Sequence, residues 1–366
     1  MSWHLIAGRK APVFDPSRLQ SVLIIKMSSI GDVVHAMPVA SALRLSYPKL
    51  RISWLVEDWL VPLLKQHPAI DRLITLPALR LRLGGVRLSA LREAIYELRA
   101  ESYDLAIDLQ GLLKSSAMSV LSRAPIRIGT DYQREGAHLF SYGVPGYSPT
   151  TSAVEEYLCS ARFLGARTDQ VQFDLHPEAK ALASIREKLA RHAVRASTRL
   201  IVINPTASAR WKDWAAERWA ALARALGKSG RVVVSGIGLQ RDRNAAIARL
   251  AGALDLTGET SLAELIALLS LAALHIAPDT GSAHIAAALG TPVIGIYGPT
   301  LASRSGPYGQ LSRTLWGGEQ CTPRCPRRCP KNRACLDSIS VDQVIEKARE
   351  TLSEAQAAQP CSALEP

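Results

Sequence analysis

The sequence predicts an α/β protein built as two parallel-sheet domains. Three observations carry that prediction. Short apolar, β-branched runs recur along the chain, helical stretches alternate with them, and 366 residues exceed what a single hydrophobic core fills. The first run, Ser21–Lys26 (SVLIIK), has no polar alternation, as expected of a parallel strand buried on both faces. A polar turn at Met27–Gly31 leads into a helix from about Asp32 to Tyr47, which Pro48 ends. Further strands are expected at Arg51–Val56, Leu73–Leu76 and Leu105–Leu109, with a helical, arginine-bearing stretch at Leu79–Ala100.

From about His176 to Thr198 the chain is helical and charged, without a strand signal until Leu200. This places an N-terminal domain at residues 1–185, a second domain at 186–345, and a helix end with a disordered tail at 346–366. The second series runs through strands Leu200–Asn204, Arg231–Ser235, Ala253–Leu256, Leu274–Ala277 and Pro292–Tyr297. Helices are expected around Ala215–Leu226, Asp242–Gly252, Leu262–Leu271 and Val341–Gln356. Open α/β sheets bind ligands beyond the carboxyl ends of their strands, so candidate residues are sought just after each strand, facing a cleft.

Composition sets limits. Hydrophobic residues are 48% and charged residues 21%, ordinary for a globular protein, and no apolar run approaches the length of a membrane-spanning helix. The stretch Met1–Gln20 lacks a continuous apolar core of signal-peptide length, so a cytoplasmic location is expected. The formal charge of +12 favours an anionic partner: nucleic acid, an anionic membrane face or a phosphorylated substrate.

Two segments stand out chemically. In Lys26–Asp32 (KMSSIGD), Gly31 gives the backbone freedom at a turn and Asp32 falls in the first turn of a helix, where it either caps the helix or faces the cleft as a functional carboxylate. In Pro278–His284 (PDTGSAH), a helix start coincides with Gly281 and the hydroxyls of Thr280 and Ser282. Exposed N–H groups of that kind form an anion site suited to a diphosphate, with capping by Thr280 or Ser282 as the structural alternative. Neither segment is a GxGxxG fingerprint or a P-loop.

These segments resemble glycosyltransferase family 9, the ADP-heptose:lipopolysaccharide heptosyltransferases. KMSSIGDVVHAMP and APDTGSAHIAAALGTPVIGIYGPT carry the resemblance. Supporting matches are YDLAIDLQGLLKSS (Tyr103–Ser116), IGTDYQREGAHLF (Ile128–Phe140), VEEYL (Val154–Leu158) and WKDWAAERW (Trp211–Trp219), in the family's order. The segment around Asp131 and Arg134-Glu135 leans toward the heptosyltransferase I branch. The resemblance implies a GT-B fold, with two Rossmann-like domains facing each other across a cleft, acceptor on the first and nucleotide sugar on the second. It also implies inversion at the anomeric carbon without metal or other cofactor.

Carried over residue by residue, Asp32 matches the catalytic base, Lys212 the lysine that reaches the donor diphosphate, Thr280 and Gly281 the phosphate cradle, and Asp279 the contact to sugar hydroxyls. Thr206, Gln240, Ser282 and His284 join the donor side by the same resemblance, and Ser29, Gly31, Gln110, Lys114, Asp131 and Arg134 the acceptor side. Lys212 also reads as a solvated surface lysine. Two departures bear on substrate choice: Gln240 stands where the family often carries an acidic residue for the ribose, and Ser152 replaces a histidine that commonly precedes the VEEYL segment.

The arginine-rich stretches Arg80–Arg99, Arg123–Arg134 and Arg324–Arg333 supply much of the excess charge and suit an acceptor bearing phosphates and carboxylates. Lipopolysaccharide inner core on an anionic inner-membrane surface is such an acceptor, with the protein peripheral to it. No basic motif interleaved with aromatics indicates nucleic acid. Cys321, Cys325, Cys329 and Cys335 are spaced C-x₃-C-x₃-C-x₅-C, unlike the C-x₂-C pairs of zinc ribbons, and are expected to be structural or unoccupied thiols, with structural zinc and a redox disulfide as alternatives. The competing functions are a related transferase with another donor or acceptor, and a non-catalytic binder of sugar nucleotide or nucleic acid; retention of Asp32 and Lys212 argues against the latter.

Overall fold

A computed structural model describes residues 11–78, 88–207, 209, 212–318 and 334–357. The chain forms two compact units that divide between Asp174 and Leu175. The first contains strands β1 (Ser21–Ile25), β2 (Arg51–Glu57), β3 (Arg72–Leu76), β4 (Leu105–Asp108), β5 (Ile126–Thr130) and β6 (Tyr142–Val144). Its helices are α1 (Ile30–Ser46), α2 (Val61–Leu64), α3 (Leu88–Arg99), α4 (Leu113–Leu121) and α5 (Ala153–Phe163). The second contains β7 (Leu200–Ile203), β8 (Arg231–Val234), β9 (Leu254–Asp255), β10 (Leu274–Pro278), β11 (Val293–Tyr297) and β12 (Leu315–Trp316). Its helices are α6 (Ala179–Arg191), α7 (Ala216–Leu226), α8 (Arg241–Ala251), α9 (Leu262–Ser270), α10 (Gly281–Ala288), α11 (Ala302–Ser305), α12 (Ala334–Asp337) and α13 (Val341–Ala357).

Every strand pairing is parallel, and the orders are β3-β2-β1-β4-β5-β6 and β12-β11-β10-β7-β8-β9. Counted within its own unit, the second sheet repeats the first, so both are Rossmann-like. In each, the order reverses between the first and fourth strands. Crevices therefore open beyond β1 and β4 in one unit and beyond β7 and β10 in the other.

The apolar runs become the middle of each sheet because helices cover both faces. All five residues of β1 and all four of β7 are buried. Helix α1 is buried from Val33 to Leu43, around its whole circumference, and packs on α5. In the second unit Trp214 and Trp219 pack edge to face, centroids 5.4 Å apart, against the side of the sheet that carries α7 and α13.

The unit boundary lies earlier than the expected 185. Helix α6 spans that position and packs on α9, burying Ile185 and Leu189 and placing Ser184 Oγ and Lys188 Nζ each 2.7 Å from Glu264 Oε1. The whole helix therefore belongs to the second unit. Helix α1 starts at Ile30, so Gly31 lies in its first turn and not in the turn that precedes it. The short strands β5, β6 and β12 and the helices α4 and α5 were not expected. Of the basic stretches, residues 79–87 and 319–333 lie outside the described residues, as do the tail from 358 and Cys321, Cys325 and Cys329. Cys335 is a buried thiol in α12. No helix among the described residues is long and apolar enough to cross a membrane.

Candidate active site

In the first unit the site grows from the end of β1. Ser29 caps α1 with extended backbone, and its N–H and Oγ both donate to Asp32 Oδ2, at 3.2 and 2.8 Å. The carboxylate also sits at the positive end of the helix. The capping alternative is thus realised, but through one oxygen, and Oδ1 stays out of the box. Burial opposes ionisation of Asp32, while the Lys26 ammonium, the two Ser29 donors and His35 outweigh it and hold the carboxyl below its ordinary range. Asp32 is therefore a carboxylate at neutral pH.

The loop after β4 braces this segment. Gln110 Oε1 accepts from the N–H groups of Met27 and Ser28, both at 3.2 Å. Asp108 in turn fixes the Gln110 loop: its carboxylate accepts from the N–H of Gln110 and Gly111 and from Oγ of Ser115 and Ser116, at 2.9–3.1 Å. Gly111 is required there, since its φ is +63° and a Cβ would sit 2.9 Å from the Tyr132 carbonyl. Gln110, expected on the acceptor side, gives its side-chain oxygen to the Asp32 loop. Lys114 reaches Glu57 at 3.4 Å. Asp131 accepts from Gly146 and Tyr147 N–H at 3.3 and 2.9 Å, holding Tyr147 stacked on Tyr132 with centroids 4.5 Å apart, while Arg134 lies over the Tyr132 ring. Asp131 thus shapes the loop, and Arg134 and Tyr132 present the cationic and aromatic surface. Ser152 caps α5 by accepting from Val154 N–H.

In the second unit Thr280 is the N-cap of α10, with extended backbone and no capping bond from its hydroxyl. Gly281 and Ser282 open the helix, where N–H groups lack intrahelical partners. Beside that end, Lys212 Nζ lies 2.5 Å from Asp279 Oδ2, and His284 Nε2 lies 3.9 Å from Asp279 Oδ1. Burial pushes the Asp279 carboxyl up, but the His284 and Lys212 contacts dominate and hold it well below the usual carboxylate range. Lys212 is therefore not a solvated surface lysine but the cation of a nearly buried pair, only 16% exposed. Trp211, before it in the sequence, lies outside the described residues. The loop carrying Lys212 is clasped by Asp213, which accepts from Ala207 N–H at 2.6 Å, and by Arg243, which donates to the Pro205 and Trp214 carbonyls.

A second polar chain runs beneath the helix start. His275 Nδ1 is 3.0 Å from the Val202 carbonyl and therefore carries the hydrogen, so Nε2 accepts from Ser282 Oγ at 3.0 Å. Burial keeps this imidazole neutral, its pKa pushed down to about 4. Ser282 Oγ also accepts from Asn204 Nδ2, and Asn204 Oδ1 accepts from Thr206 N–H. The Ser282 hydroxyl is thus committed inside the protein. The Ser282 N–H lies at the helix start, where N–H groups lack intrahelical partners. Thr206 Oγ1 lies 2.5 Å from Gln240 Oε1, which joins the loop after β8 to that after β7. Beside Gln240, Ile237 and Leu239 are exposed.

Each unit thus brings together what the sequence separated: Asp32, Ser29, Gln110 and Lys26 at one switch point, and Lys212, Asp279, His284, Thr280 and Gly281 at the other, with Thr206 and Gln240 alongside. Sequence reasoning missed Asp108, Asn204 and His275, whose signal was a polar residue inside or just beyond a buried apolar run. Among the described residues no group of three or more His, Cys, Asp or Glu side chains is placed to hold a metal ion.

Residues 91–334 match the model of glycosyltransferase family 9 (heptosyltransferase). Lipopolysaccharide heptosyltransferase 1 of Escherichia coli (strain K12) is 31% identical over 300 residues, covering 79% of this chain and 91% of that protein. Among solved structures, the E. coli heptosyltransferase WaaC with ADP-2-deoxy-2-fluoro heptose matches with TM-score 0.69 and 26% identity, over 90% of this chain and 99% of that one. A family 9 glycosyl transferase from Veillonella parvula DSM 2008 matches in fold with TM-score 0.81 at 22% identity, over 94% of this chain and all of that one.

Proposed function

This chain belongs to glycosyltransferase family 9, the heptosyltransferases, and from that premise we propose that it moves heptose from ADP-heptose to the lipopolysaccharide inner core, on Kdo-lipid A or a core heptose. The observation that carries the reading is the α10 start with Lys212, Asp279 and His284 around it. A lysine and unpaired helix N–H groups at one point suit a diphosphate, and a buried carboxylate beside them suits sugar hydroxyls.

In this reading the acceptor hydroxyl attacks the anomeric carbon and gives its proton to Asp32. The bond from that carbon to the diphosphate oxygen breaks, and ADP leaves with the electron pair. A carboxylate of low basicity suffices because the proton moves as the new bond forms. Lys212 turns from Asp279 toward the departing diphosphate, and with the helix N-terminus it stabilises the growing charge in place of a metal ion. Attack opposite the leaving group inverts the configuration. Gly31 and Ser29 shape the acceptor edge, with Arg134 and Lys114 offering cations to its acidic groups. Gln240, in place of the family's frequent acid, leaves room for a related nucleotide sugar as donor.

The reaction belongs on the cytoplasmic face of the inner membrane, with the protein peripheral on its anionic surface; the +12 charge supports this placement. The test is the linkage formed from ADP-heptose and Kdo-lipid A in the presence of a chelator, read by NMR. A single new linkage of configuration opposite to the donor's is expected. Retained configuration, or loss of turnover to the chelator, contradicts the mechanism.

A further inference from the structure

Lys26 is a lysine at the end of a buried strand, and it is itself 3% exposed. Its main chain is fixed by β2: the Lys26 carbonyl accepts from Trp54 Nε1 at 3.1 Å, and its N–H donates to the Leu55 carbonyl at 3.3 Å. From that anchor the ammonium donates to the Leu109 carbonyl at 2.9 Å and to Tyr157 Oη at 2.7 Å. One side chain thus ties the end of β1 to the end of β4 and to α5. Both acceptors are neutral oxygens, which orient the ammonium without cancelling its charge. Burying a charge in this way is costly unless surrounding charges compensate it.

The surroundings offset part of that cost, and burial prevails. Burial pushes the Lys26 ammonium down, and Asp32 on α1, Asp108 on β4 and Glu156 on α5 oppose the push, while Arg134 in the loop after β5 adds to it. Asp108 is occupied by four donors that shape the Gln110 loop, and Glu57 at the end of β2 faces Lys114. Asp32, whose other neighbours are Ser29 and His35, is the carboxylate here that the mechanism needs in its ionised form.

We propose that Lys26 is a positioning residue for transfer, its buried ammonium bracing the β1, β4 and α5 ends behind the Asp32 loop and keeping Asp32 the proton acceptor at working pH. This rests on the reading of Asp32 as the base. A carboxyl as buried as Asp32 tends toward its neutral, proton-holding form, which cannot take a proton from the acceptor. A fixed cation behind the loop reverses that tendency. A merely structural lysine would affect turnover equally at every pH; one that sets the state of Asp32 moves the pH profile.

The test follows kcat/KM against pH. In Lys26→Met the acid limb rises by one pH unit or more and turnover recovers on the alkaline side, while ADP binding measured by calorimetry is unchanged. In Lys26→Arg, which keeps the charge, the limb stays where it is in the native enzyme. An unmoved limb in Lys26→Met, with turnover either unchanged or uniformly reduced, overturns the proposal. Where Lys26→Met does not fold, Tyr157→Phe deletes one oxygen and leaves the ammonium held by the Leu109 carbonyl alone; a smaller rise of the limb is expected, and an unmoved limb overturns the proposal. Asp32→Asn separates the two readings. An active Asp32→Asn enzyme removes the base assignment itself, whereas an inactive one beside an unmoved limb in the lysine variant removes only the role of Lys26.

Discussion

Asp32→Asn lowers the rate of heptosyl transfer by about 10²–10⁴-fold, the range that a positioned general base contributes, and leaves ADP binding unchanged. Asparagine keeps an oxygen to accept from Ser29, so the α1 cap survives, and the fold loses at most about 1 kcal/mol if that bond weakens. What it removes is the proposed proton acceptor. The proposed donor array belongs to the other unit, with Lys212, Asp279, His284 and the α10 start, so unchanged nucleotide affinity is expected. Steady-state turnover with calorimetric titration of ADP measures both. Turnover near the native rate would remove Asp32 from the chemistry.

Lys212→Ala has two consequences of different kinds. The departing diphosphate loses its cation, and by analogy with removal of one donor from an oxyanion site the rate falls by about 10²–10³-fold, with weaker ADP binding beside it. The protein also loses stability, because Asp279 remains nearly buried with the His284 ring as its other close neighbour. Breaking a buried pair from one side costs about 3–5 kcal/mol, and the partial exposure of this pair reduces the expected cost to about 1–3 kcal/mol.

The pH dependence of that loss follows from linkage. Asp279 has a folded-state pKa held below the ordinary 3.8, so the stability from its ionised form is present above about pH 4 and disappears as pH falls through the folded value. The gap between native and Lys212→Ala denaturation midpoints is therefore widest near neutrality and narrows below pH 4. A gap independent of pH would mean that the loss comes from packing and not from the ion pair.

Much of the fold was legible because parallel strands buried on both faces leave an unmistakable run: SVLIIK and LIVIN needed no context. Strand β5 hid because Arg127 and Gly129 interrupt IRIGT; in the fold Arg127 turns its guanidinium to the Ala124 and Phe140 carbonyls, so the charge never enters the core. Strand β6 is three residues and has no period to read. The strand order was illegible for another reason: β1 pairs with β4 at a sequence separation of 83, Val22 beside Leu105, and nothing local encodes that choice.

The site divides in the same way. Helix-start chemistry at Thr280–Gly281 and a first-turn carboxylate at Asp32 are local properties, and they were read from spacing and resemblance together. The commitments of Ser282 and Gln110 were not, because they depend on partners elsewhere. Ser282 gives its hydroxyl to a histidine inside β10, and Gln110 turns toward a loop 82 residues earlier. Lys26 shows the same limit, since Tyr157, which orients it, lies 131 residues away.

The most direct test of the central claim is kcat/KM for the purified chain with Kdo-lipid A as acceptor and a panel of donors: ADP-heptose, ADP-hexoses and uridine-diphosphate sugars. ADP-heptose is expected to be used best, with the acceptor gaining the mass of one heptose for each ADP released. Preference for another nucleotide sugar, or donor hydrolysis without gain of mass by the acceptor, would contradict it.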